Sequence, residues 1–109
     1  MQSAAVAENK IFQALADPSR RAIFESLTRG EAAVKDLTAR FDISQPAVSQ
    51  HLATLKDAGL VKSRREGRLV HYRVEPRGMK PLIDWIAHYR LFWTEHVARL
   101  EQLLETMDE

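Results

Sequence analysis

No cysteine occurs among the 109 residues. That absence excludes a disulfide framework and every thiolate metal or redox site. No run of about 18 apolar residues occurs either, so no membrane-spanning helix is expected. The amino end, Met1 to Lys10, lacks a basic segment followed by an apolar run, and no signal peptide is expected there. Internal repeats, low-complexity segments and a glycine-rich phosphate loop are missing. So are paired carboxylates in a plausible cleft and any set of nucleophile, base and orienting group. These gaps argue against an enzyme and against a cofactor. They leave a cytoplasmic protein of one domain, with no membrane partner. The content is 45% hydrophobic and 28% charged, a globular rather than a disordered balance.

The net charge of +1 hides an uneven distribution. Residues 1–80 hold 14 Lys/Arg against 9 Asp/Glu, a surplus of five positive charges, whereas residues 81–109 hold 2 against 6. A basic body with an acidic tail suits one surface to a polyanion, although a solvated face gives the same pattern.

Residues 1–6 are small and polar and are expected to fray. Ile11, Phe12 and Leu15 share one face of a short helix starting near Glu8. Asp17 and Pro18 then stop that helix and start another: Asp17 as N-cap, Pro18 at the first helical position. The second helix buries Ala22, Ile23 and Leu27 with Phe24, and ends near Gly30. A third spans about Val34 to Arg40 and carries Leu37, with Phe41 four residues on. Ser44 caps a fourth, with Pro46 in its first turn; Val48, Leu52 and Leu55 form its apolar side, and Gly59 closes it. From Leu60 the period changes to two. Val70, Tyr72 and Val74 alternate with Leu69, His71 and Arg73 around a turn at Glu66-Gly67-Arg68. Pro76 ends the strand, and one long helix is predicted over 79–107. The expected fold is mainly α with a β-hairpin wing. Residues 34–58 form a helix-turn-helix, 60–75 the wing, and 79–107 a dimerisation helix.

A helix that reads a major groove about 12 Å wide needs an apolar side against the body and short polar groups on the other side. The fourth helix offers Ser44, Gln45, Pro46, Ser49 and Gln50 for base contact. Glutamine pairs with adenine, serine serves several bases, and proline suits a thymine methyl. A soluble surface helix is the plainer alternative, but this face carries no Lys or Glu before Lys56. His51 reads equally as a phosphate contact or as a histidine packed at the boundary. The hairpin region carries Lys62, Arg64, Arg65, Arg68, Arg73 and Arg77 against Glu66 and Glu75. Directly after a groove-sized polar helix, Lys62, Arg64, Arg65 and Arg68 read as phosphate contacts.

These residues together resemble the ArsR/SmtB family of winged-helix repressors, over Ile11 to about Leu104. The resemblance is carried by Leu15-Ala16-Asp17-Pro18-Ser19-Arg20-Arg21, Ser44-Gln45-Pro46-Ala47-Val48-Ser49-Gln50-His51-Leu52, Leu55-Lys56-Asp57-Ala58-Gly59-Leu60-Val61, and Arg65-Glu66-Gly67-Arg68 with Tyr72. It implies a dimeric repressor on double-stranded operator DNA, with Gln45, Pro46, Ser49 and Gln50 reading bases. The family's thiolate site lies on the first helix of the helix-turn-helix, where this chain has Ala33-Val34-Lys35-Asp36. Its other common site needs Asp and His two residues apart on the last helix, where Asp84 is followed by Ile86. Asp84, His88 and His96 leave only an accidental grouping, so no metal is expected.

Leu82, Ile86, Tyr89, Trp93, His96, Leu100, Leu103 and Met107 recur at alternating four- and three-residue spacing, a stripe that packs on another helix. Together with Ile11, Phe12 and Leu15, the residues Ile86, Tyr89, Trp93 and Leu100 are expected to meet a second copy. Trp85, Tyr89, Phe92 and Trp93 also fit a small-molecule pocket at that interface, with plain interface core as the simpler reading. Two further alternatives are a winged-helix module that binds protein, which the basic wing disfavours, and a MarR-like regulator, for which the chain is short.

Overall fold

Asp17 and Pro18 set the first corner of the chain. A computed structural model describes residues 4–107, and the expectation of fraying at residues 1–3 lies outside them. Ala4–Val6, also expected to fray, belong to α1 (Ala4–Ala16), where alanine is the residue most favourable to helix. Helix α2 (Pro18–Leu27) begins where the Asp17 carboxylate accepts from the Arg20 N–H at 2.9 Å. The end of α1 is closed by the same motif. Arg20 donates to the carbonyls of Ala14 (2.6 Å) and Gln13 (3.1 Å), and Arg21 to that of Leu15 (2.7 Å). Carbonyls left without intrahelical partners thus gain cationic donors. The Asp17 carboxyl is held below its ordinary value by the Arg20 N–H, with His51 and the Arg20 charge adding to the effect.

A strand of two residues, β1 (Ala32–Ala33), precedes α3 (Val34–Arg40), and α4 (Gln45–Asp57) follows. Gly59, at φ +80°, ends α4 in a Schellman arrangement: its N–H donates to Lys56 and that of Leu60 to Leu55. Strands β2 (Val61–Glu66) and β3 (Leu69–Val74) join through Gly67-Arg68, and the antiparallel sheet runs β1-β3-β2. Ala32 pairs with Tyr72, Ser63 with Tyr72, and Arg64 with His71. The two alanines have no alternating pattern of their own. Pairing with β3 makes them a strand.

The core joins Ile11 and Ala14 of α1, Ile23 and Leu27 of α2, Leu37 of α3, and Val48, Leu52 and Leu55 of α4 to Leu60 and Val61. Ile11 is therefore a correction to its expected place at an interface: it is 1% exposed, already enclosed by its own chain. Leu15 is half-buried against the same core. Phe12 remains exposed and meets Trp85 edge-on, with ring centroids 5.6 Å apart.

The continuous helix expected over 79–107 is also corrected. A 3₁₀ turn (Pro76–Met79) leads into α5 (Lys80–His88), the helix breaks at Tyr89, and α6 (Arg90–Met107) follows. Neither glycine nor proline marks the break. The two pieces have different surroundings: α5 lies on α1, with Leu82 against the core, whereas α6 buries none of its residues. The radius of gyration is 17.5 Å, against about 13 Å for a compact domain of about 100 residues.

Candidate nucleic-acid interface

Helix α4 divides cleanly into two sides. Ser44 opens it by accepting from the Ala47 N–H at 3.2 Å. Val48, Leu52 and Leu55 are completely buried and fix the helix to α2 and α3. Gln45, Pro46, Ser49 and Gln50 are exposed and share the outer edge of the first two turns. His51 stands apart from them. It is half-buried, and its Nδ1 is buried without a partner among the described residues.

The pleat of the wing sorts its cations. Successive residues of a strand face opposite sides, so Val61, Ser63 and Arg65 share the side that carries Tyr72 and Val74 towards the core. Lys62, Arg64 and Glu66 take the other side. Lys56 of α4 donates to the Ser63 Oγ at 2.9 Å, which ties the wing's inner side to the end of α4. On the outer side, the Arg64 guanidinium spans two carboxylates. It donates to both oxygens of Glu31 (3.0 and 2.7 Å) and to Glu66 (2.9 Å). These bonds raise the Arg64 pKa further, and the hydrogen bond from Arg64 lowers that of Glu31. Lys62 lies 3.6 Å from Glu75. Arg65 and Arg68 are exposed and make no ion pair among the described residues. The four wing cations named from sequence thus fall into two paired and two open.

One cation was overlooked in the sequence. Lys35, exposed on the first turn of α3, lines a cleft with Gln45, Ser49 and Arg68. Spacing along the chain gives no hint of this, because the cleft gathers residues from three elements.

Four helices, a two-stranded wing against the fourth, and a polar outer edge on that helix form a winged helix-turn-helix. A model of the bacterial regulatory proteins of the arsR family matches residues 17–63. The chain is 40% identical over 98 residues to the HTH-type transcriptional regulator Rv2034 of Mycobacterium tuberculosis, covering 90% of this chain and 89% of that one. The chain belongs to the ArsR family. The transcriptional repressor SdpR of Bacillus subtilis is 32% identical over 81 residues, 74% of this chain and 90% of its own. Among solved structures, a crystallised ArsR family regulator superposes with a TM-score of 0.75 at 34% identity, over 86% of this chain and 97% of that chain. HlyU from Vibrio cholerae gives 0.66 at 33%, over 84% and 98%. This ArsR-family chain is a DNA-binding transcriptional regulator.

The residues weighed above as metal donors are not gathered among the described residues. Ala33 is a buried residue of β1, and its neighbours Val34, Lys35 and Asp36 offer no thiolate. On the last two helices, Asp84 is bound to Lys80 at 2.7 Å, and the His96 Nδ1 lies 2.8 Å from the Phe92 carbonyl. Among the described residues no group of three or more His, Cys, Asp or Glu converges on one point. No described helix is long and apolar enough to cross a membrane.

Proposed function

We propose that the protein is a cytoplasmic, metal-independent, homodimeric repressor that binds an inverted-repeat operator and blocks access of polymerase. It has no catalytic role in this reading. The observation that carries the dimer is α6, an 18-residue helix with no buried residue. Trp93 and Leu100 on it, with Ile86 and Tyr89 beside the break and Phe12 on α1, expose 41–55% of their surface. A soluble monomer rarely leaves such a continuous apolar face to water. A second copy covers it by two-fold symmetry, and the hollow of about 400 Å³ between Trp85, Ile86, Trp93 and Val97 receives the partner's side chains. Two-fold symmetry sets the two reading helices about 34–36 Å apart, one turn of DNA.

Each protomer reads bases through Gln45, Pro46, Ser49 and Gln50, with Ser44 holding the helix start. Arg65 and Arg68 meet phosphate, with Lys62 beside them. Arg64 keeps the wing in place, and His51 serves the packing of α4 on the body. Repression follows the named activity of SdpR and needs no further chemistry, since a dimer seated on a promoter excludes other proteins.

Selection of bound duplexes from a random pool tests this directly. Enrichment of an inverted repeat with half-sites one helical turn apart is expected. Enrichment of a single half-site, or of no sequence, would contradict the dimeric reading.

A further inference from the structure

Between α3, the start of α4 and the wing turn lies a cleft of about 190 Å³. A water occupies about 30 Å³ in the liquid, so the space admits a larger group. Its polar lining is Lys35, Gln45, Ser49 and Arg68, and its apolar walls include Val34 and Leu69. We propose that this cleft seats one phosphate of the DNA backbone, held between Lys35 of α3 and Arg68 of the wing turn. This rests on the DNA-binding reading and deepens it, by adding α3 as a phosphate-holding element.

Two observations carry the assignment. First, the two cations come from separate elements, and neither makes a hydrogen bond or ion pair among the described residues. Glu66, the acidic residue next to the turn, is engaged by Arg64 and lies 3.6 Å from His71. Second, Gln45 and Ser49 belong to both the cleft and the base-reading edge, so a strand whose bases face that edge carries its backbone past the cleft. The apolar walls lower the local dielectric and strengthen both charge pairs.

The experiment measures binding of a labelled random-sequence duplex across a salt series, for the full chain and its Lys35→Ala, Arg68→Ala, double and Lys35→Arg variants. Circular dichroism establishes folding, which exposed positions leave intact. Each alanine variant is expected to weaken binding about tenfold, the size of one charge-assisted hydrogen bond. The double variant is expected to lose about one unit of the log–log salt slope, the yield of a single neutralised phosphate. Lys35→Arg keeps wild-type behaviour. Unchanged affinity and slope in Lys35→Ala overturns the proposal, and so does a loss of about two units in the double variant, which means two separate phosphates. If the wild-type chain binds no duplex, the DNA-binding reading fails as well, and the two failures are told apart.

Discussion

The Arg64 guanidinium donates to both carboxylate oxygens of Glu31, at 3.0 and 2.7 Å, across 33 residues of chain. That pair ties the wing to the segment just before β1 and takes one arginine out of the set free to meet DNA. Arg65, the next residue, faces the opposite side of the strand and is unpaired. Two adjacent arginines are therefore placed differently, one paired and one open. Arg65→Ala is expected to lower the salt slope of DNA binding by about one unit with little change in melting temperature. Arg64→Ala is expected to lower the melting temperature and leave the slope near wild type. A salt titration with a thermal melt on each variant separates the two.

The same pair sets an acid limit on the wing. Arg64 holds the Glu31 carboxyl below its ordinary value, so the pair's stabilisation is fully present above the unfolded-state pKa, about 4.3. It is lost as the pH falls through the lower folded value. Glu31→Gln is expected to reduce stability at neutral pH and to flatten the decline below about pH 4. Melting temperature against pH for both chains checks it; parallel acid limbs would remove Glu31 from the account.

Gly78 lies where the 3₁₀ turn crosses the end of α4. A Cβ built there would stand 1.7 Å from the Gly59 carbonyl oxygen and 2.6 Å from its carbon. Both contacts are backbone, so no side chain can swing aside. Gly78→Ala is expected to cost about 3 kcal/mol, at the upper end for overpacking, read from urea unfolding. A loss within about 0.5 kcal/mol, the range of ordinary surface changes, would mean that the turn sits further from Gly59.

Leu100 is exposed on α6. Leu100→Glu is expected to leave each chain folded but halve the mass seen by sedimentation. Affinity for a duplex with two half-sites should then fall roughly a hundredfold through lost bivalency. A dimeric Leu100→Glu chain would place the self-contact elsewhere.

Local chemistry made much of this molecule legible in its sequence. Asp17-Pro18 and Ser44 announce helix starts through backbone N–H groups that need partners, and Val48, Leu52 and Leu55 mark the buried side of α4 by spacing alone. What the sequence concealed depends on contacts between distant segments. Ala32–Ala33 is a strand only beside β3. Arg64 looks like its neighbours until Glu31 is brought to it, and Lys35 enters a cleft only when α3 and the wing turn meet. Ile11 shows a partial misreading of another kind. Its periodicity correctly marks an apolar face, but nothing in that pattern says whether the face meets its own chain or another. At Tyr89 an unbroken four-and-three spacing runs through a broken helix, because the apolar stripe records which residues share a side and not the axis along which that side runs.

Base reading by α4 is the centre of the account, and equilibrium titration of DNA from upstream of the protein's own gene tests it most directly. The comparison is scrambled DNA of equal length, at two salt concentrations, with a chelator present throughout. Tight binding of the upstream DNA over the scrambled DNA without metal is the expected result. Gln50→Ala should reduce that discrimination by about 1–3 kcal/mol, the worth of one paired base contact. Equal binding of both duplexes by the wild-type chain, or selectivity untouched by Gln50→Ala and Ser49→Ala, would contradict a reading head on α4.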